Sequence, residues 1–382
     1  MSERSSDKRR YLWCLLPLLA VVSGPAQAVE HMTYAEAKAR IPDRRLPGFW
    51  IGDVRGLDQR FAELRAGQVK VIATTPGGRS VHLIAYGSRE PVTHKANFNS
   101  AIGAREPNAY VDKAAREKPV VLFVGPVHGH EVEALTGLVN FAHVMETGRD
   151  LRDRQQPRLH QLGKQCRLLI IPDGNPDGIA RFEPRALHGM GRDDIRFWGQ
   201  GTWSDHTLCG WPGVKRQHPF VGDNVGFVGC YFNEAGINPM HDEFFFPMSP
   251  EAPAILRVAQ AEGPDLAVSL HSHENKPALL RPAYVPMETQ EDIRALAERC
   301  YALLAERNLP HGGLFDTRAE GGLRPSPFNL TSAIYHVCGA GAFTFECPHG
   351  TEDGCQVTLE QILDIQLTLY EAMLEHEIAK KR

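Results

Sequence analysis

A chain of 382 residues with 42% apolar and 23% charged residues has ample material for a core and the charge content of an ordinary globular protein. Its formal net charge of −4 lacks the basic footprint that nucleic-acid binding requires. Length alone leaves one large domain or two. At the start, Lys8-Arg9-Arg10, the apolar stretch 11–22 and Ala26-Gln27-Ala28 have the three parts of a secretory signal peptide cleaved after Ala28. That stretch is too short to span a bilayer, so an exported protein, periplasmic or extracellular and without stable membrane insertion, is expected. Loss of Cys14 leaves cysteines 166, 209, 230, 300, 338, 347 and 355, an odd set that cannot all pair within one chain. Cys209–Cys230 and Cys347–Cys355 are the short-range candidates in an oxidising compartment. Cys166 and Cys300, among apolar neighbours, read as buried thiols.

Residues 29–68 read as a helical lead-in, with helices at 34–39 and 57–64. The stretch 69–382 reads as one domain. Segments 69–74 and 79–86 are β-rich and flank Pro76-Gly77-Gly78, a hairpin signal. Residues 88–117 are polar and irregular. Residues 120–124 form an apolar strand, and 131–147 an amphipathic helix with apolar positions at 132, 135, 138, 139 and 142. The mixed-sign run 149–154 reads as a solvated face. A second short strand at 167–171 ends in Pro172-Asp-Gly-Asn175-Pro-Asp-Gly178. Residues 179–248, rich in glycine, aromatics and histidine, show no period, so they hide short elements or line a cleft. A helix at 249–261 is expected with Ser249 as cap and Pro250 at its first position. A strand at 266–270, a helix at 289–307, a strand at 342–345 and a closing helix at 357–377 follow. Strands and helices alternate without a linker, which predicts a single α/β domain: a mixed, mostly parallel central sheet flanked by helices.

The chemistry gathers at strand ends. His128-Gly129-His130-Glu131 occupies the turn between the strand at 120–124 and its helix. His128 and Glu131, three apart at a helix start, share a face and can meet one ion. A catalytic zinc takes three protein ligands and keeps one position open. The strand Leu266-Ala-Val-Ser-Leu-His271-Ser-His273 offers the third. His271 and His273 share a face by strand alternation, so position alone does not separate them. Such a set polarises a carbonyl and activates water, and it needs a base, for which Glu346 after Ala342-Phe-Thr-Phe345 is placed. Arg181, Arg185, Arg192 and Arg196 supply cations for an oxyanion. Trp198, Trp203, Trp211, Phe220, Phe227 and Tyr231 read as local core ahead of a sugar platform.

His128-Gly-His-Glu131, Asn175-Pro-Asp-Gly178, Ser269-Leu-His271-Ser and Phe343-Thr-Phe-Glu346 follow one another in an order that resembles the M14 zinc carboxypeptidases, over about residues 68 to 380. The resemblance implies the zinc carboxypeptidase fold, one Zn²⁺ per chain, and a peptide or small amide substrate. It implies His128, Glu131 and His271 as metal ligands, with His271 preferred to His273 as the first His of the family's His-Ser. Glu346 resembles the general base and acid. Arg196, with Arg192 as second choice, falls where the family's oxyanion arginine lies. Tyr335 resembles the tyrosine that closes over substrate. One departure stands out: Met240 and His241 occupy the place of the Asn-Arg pair that grips a terminal carboxylate, and histidine does not reproduce a bidentate guanidinium. Either another arginine serves, Arg324 or Arg216, or the substrate does not end in an ordinary α-carboxylate. A zinc deacylase or amidase acting on acylated amino acids or peptidoglycan-type amides, and a catalytically silent binding protein on the same scaffold, stay open beside the peptidase.

Overall fold

In the computed structural model, residues 30–92, 94–317 and 327–382 are described. The expected leader, residues 1–28, and Arg324 lie outside them. The strands, in chain order, are β1 (Gln68–Thr74), β2 (Ser80–Tyr86), β3 (Val120–Val124), β4 (Arg167–Ile171), β5 (Gly201–Trp203), β6 (Val225–Val228), β7 (Leu266–His273), β8 (Ala278–Leu279) and β9 (Gly341–Pro348). Seven of them form one sheet in the order β1-β2-β4-β3-β7-β9-β8, and β5 pairs with β6 apart from it. The central strands β4, β3, β7 and β9 are parallel. Antiparallel strands extend both edges. The chain is thus the mixed, mostly parallel α/β sheet that the alternation of elements predicts.

β3 is apolar at all five positions because both of its faces are covered. Successive residues feed opposite cores, as the pleat requires. Val121 and Phe123 pack with the helices Val132–Thr147, Met287–Glu306 and Leu359–Lys380. Val120, Leu122 and Val124 pack with Glu251–Glu262 and Leu330–Cys338. β4 lies on one side of β3 and β7 on the other, so the strand order reverses at β3. In an open α/β sheet the crevice beyond the carboxyl ends at such a point is where ligands bind.

Residues 30–67 pack onto this body. Met32, Ala37, Phe49 and Trp50 join the larger core. Thr136 Oγ1 donates to Ile51 O (3.0 Å) and Asn140 Nδ2 to Phe49 O (3.0 Å), so this stretch is laced along the helix that follows Glu131. No helix among the described residues is long and apolar enough to cross a membrane.

The structure corrects several sequence expectations. β7 and β9 continue past their apolar runs, with His271 paired opposite Glu346 and His273 opposite Pro348, because backbone pairing does not need apolar side chains. Helices Phe98–Gly103, capped by Asn97, and Pro157–Lys164 were hidden by short length and polar composition. The helix after Ser249 is Glu251–Glu262, and Ser249 Oγ donates to Asp242 instead of capping it. The run 149–154 is solvated only in part: Asp153 and Arg154 are exposed, whereas Arg152 bridges the buried Asp150 (2.7 Å) and Asp364 (2.6 Å). The described cysteines are all free thiols. Cys209 packs in a small cluster with Phe220 and Phe232, and Cys230 in the main core; neither this pair nor Cys347–Cys355 forms the expected disulfide.

Candidate metal centre

Beyond β3 the chain turns through residues 125–131 and lies against the turn at 175–178. A side-chain carbon on Gly129 would stand 2.0 Å from the carbonyl carbon of Gly178, so glycine alone permits this approach. Asn175 holds the two turns together: its Oδ1 accepts from Gly178 N (3.0 Å) and its Nδ2 donates to Val127 O (3.1 Å). Asp177 accepts from Thr75 Oγ1 (2.6 Å), Gly77 N (3.0 Å) and Arg79 Nη1 (2.9 Å), which ties in the β1–β2 hairpin. The Asn-Pro-Asp-Gly segment is a buttress for the histidine turn.

On this support three side chains converge. His128 Nδ1 is 2.9 Å from Glu131 Oε1, His271 Nδ1 is 2.9 Å from Glu131 Oε2, and the two Nδ1 atoms are 3.2 Å apart. Donors about 2.0–2.1 Å from a tetrahedral zinc stand about 3.3 Å from one another, so these edges fit one small divalent cation. The donor set, two imidazoles and a carboxylate, is one that a catalytic zinc takes, with a fourth position left open. His271 Nε2 lies 3.0 Å from Ser269 Oγ, a contact that fixes the ring with Nδ1 turned toward Glu131 and His128. His128 Nε2 has no hydrogen-bond partner, and its ring stacks on Tyr231 with centroids 4.0 Å apart. Burial works against ionising Glu131, but the two histidines outweigh it and hold the carboxyl well below its ordinary range. Burial keeps His128 below its ordinary value, favouring the neutral imidazole that a metal takes.

Glu346 stands on β9 directly across the ladder from His271. In parallel neighbours paired residues share a face, so both look into the same cleft, of about 940 Å³. Burial raises its carboxyl to about 7, with His271 pulling the other way. Near that value a carboxylate can both take and return a proton at neutral pH.

Arg196 lines the cleft, but each of its three nitrogens is engaged. Nη1 is paired with Glu30 and Asp193, Nη2 donates to Leu208 O (3.2 Å) and Nε to Cys209 O (3.3 Å). Arg192 also lines the cleft. Arg216 donates to Gly213 O within its own turn. Tyr335 packs edge-on against Phe98 (5.8 Å) and is not part of the cleft wall. Met240 is buried in the smaller core, and both it and His241 line the cleft. His273 bonds to Lys276 O (3.0 Å) and lies outside the ligand triangle. His130 is buried against Tyr231 and His349. Of the aromatic group, Trp198 is core, Phe227 packs against it, and Phe220 with Trp203 forms a satellite cluster; Trp211 and Tyr231 line the cleft.

Four features were not read from sequence: Ser269 behind His271, Tyr231 under His128, the buried pair His349–Glu133 (3.0 Å), and Lys215 beside His241. Ser269 carried a signal, since strand period two puts it on the face of His271.

The sequence matches the family model described as zinc carboxypeptidase (Peptidase M14) over residues 60–304. That stretch contains His128, Glu131 and His271 and stops short of Glu346. Among solved structures, a metallo-carboxypeptidase from Burkholderia cenocepacia is similar with a TM-score of 0.51 and 16% identity, over 86% of this chain and 69% of that one. A candidate carboxypeptidase from Burkholderia mallei is similar with a TM-score of 0.53 and 16% identity, over 85% and 68% of the two chains. At such identity these likenesses speak for the fold. No curated protein matches the sequence.

Proposed function

We propose, from the premise that this chain belongs to the zinc carboxypeptidase family (Peptidase M14), that it hydrolyses a peptide or small amide bond with a single Zn²⁺ on His128, Glu131 and His271 and with Glu346 as proton carrier. The observation that carries the reading is the ligand triangle set one ladder pair away from Glu346. A zinc ion there would polarise the amide carbonyl and acidify a water. Glu346 takes a proton from the attacking water and returns it to the departing nitrogen. Its elevated pKa suits both directions of transfer. Ser269 orients the His271 ring with Nδ1 toward the other two ligands, and the 175–178 buttress holds His128 and Glu131 in register with it. An oxyanion role for Arg196 requires release of its guanidinium from Glu30 and Asp193.

The leader-like residues 1–28 support export to the periplasm or the medium, and the balance of charge supports a small-molecule or peptide partner over nucleic acid. Turnover of N-acylated dipeptides by zinc-loaded protein tests the reading. Glu346→Gln is expected to lower kcat by about 10²–10⁴-fold with zinc content unchanged. Unimpaired turnover in that variant would remove Glu346 from the reaction.

A further inference from the structure

Two turns of the irregular segment bring one cation to the cleft. Lys215 lies on the turn Gly213–Arg216, with its ammonium 5.1 Å from the centre of the Trp211 ring. His241 ends the turn Pro239–His241, anchored by the buried Met240 and by Asn238, whose Oδ1 accepts from Met240 N (3.0 Å). Lys215 Nζ donates to His241 Nε2 at 3.0 Å. Burial, followed by the charge of Lys215, pushes His241 down to about 2, so this ring stays a neutral acceptor. Both side chains line the same cleft as His128, His271 and Glu346.

The cation lacks a counter-ion. Among the described residues no carboxylate oxygen lies within ion-pair distance of Lys215, whereas Arg196 in the same wall has two acids. Lys215 is open to the cleft, and of the three N–H groups of an ammonium one is spent on His241 and two remain. Its charge acts on Glu346, His128 and His271 through space, without a hydrogen bond to any of them. Its two remaining N–H groups open into the cleft that holds the ligand triangle, where they can meet a charge the substrate already carries.

We propose that Lys215 is the specificity-determining residue that receives a carboxylate of the substrate next to the scissile amide, with His241 as its positioning residue. The proposal rests on the hydrolase reading for the location of the scissile bond, and its test does not depend on turnover. Zinc-loaded Glu346→Gln protein is titrated calorimetrically with an N-acylated dipeptide bearing a free terminal carboxylate and with its terminal amide. The acid is expected to bind about ten- to a hundredfold more tightly, the range of a charge-assisted hydrogen bond. Adding Lys215→Met abolishes that preference with zinc content unchanged, and Lys215→Arg retains part of it. His241→Gln, which keeps an acceptor, preserves the preference, and His241→Phe weakens it. Equal binding of acid and amide, or a preference that survives Lys215→Met, overturns the proposal. A lysine-dependent preference in a protein whose native form turns over neither compound would sink the hydrolase reading and keep Lys215 only as a carboxylate-binding residue of the cleft.

Discussion

His128, Glu131, His271 and Glu346 stand at or just beyond the ends of parallel strands, whereas Arg196, Lys215, Tyr231 and His241 stand on turns between residues 192 and 241. The first group is located by the sheet. Once β3, β7 and β9 are in register, His271 must face Glu346 across one ladder step, and the turn after β3 must deliver His128 and Glu131 beside them. The second group is located by contacts distant in sequence: Lys215 by His241, Arg196 by Glu30. Chemistry that needs atoms fixed to fractions of an ångström is built on the ladder, and the selection among substrates proposed for Lys215 is built on the loops, of which the turn carrying Tyr231 also packs under His128.

Breaking the sheet-borne side should cost most. Gly129→Ala forces a carbon against the backbone of Gly178 at 2.0 Å. It is expected to destabilise the fold by about 1–3 kcal/mol in urea denaturation and to lower zinc affinity together with turnover. Ser269→Ala leaves the fold intact and frees the far nitrogen of His271. Zinc affinity measured by competition with a chelator should fall about 10–100-fold, while any preference for acid over amide is unchanged. An altered preference with intact zinc would erase the distinction between the two sides of the cleft.

A smaller effect is expected at the buttress in acid. Burial disfavours ionisation of Asp177, but its bonds from Thr75, Glu234 N, Arg79 and Gly77 N outweigh this and hold its pKa below the ordinary value. A depressed carboxyl stabilises the fold above its unfolded pKa, about 3.9, and the contribution is lost as pH falls through the lower folded value. Asp177→Asn should therefore flatten the decline of the denaturation midpoint below about pH 4. An unchanged acid limb would show that the buttress does not depend on this charge.

The same contrast explains what could be read from the residues alone. The apolar runs of β3, β4, β7 and β9 announce strands buried on both faces, and the chain delivers polar residues at or beyond their carboxyl ends, so the cluster of His128, Glu131 and His271, with Glu346 across the ladder, was legible from the residues. Pairing beyond those runs was not, because the ladder through His271 and Glu346 is made by backbone. In 179–248 no period survives, since β5, β6 and the short turns are held by long-range bonds and not by a repeating apolar face. Arg196 shows the consequence: its place in the wall was legible, but its capture by Glu30 and Asp193 was not.

Metal content decides the central claim. Protein purified in zinc-replete buffer and analysed by inductively coupled plasma mass spectrometry should carry about one zinc per chain, and His271→Ala should lose it while keeping its far-ultraviolet circular dichroism. Metal-free native protein, or a folded His271→Ala variant with its zinc retained, would contradict the account.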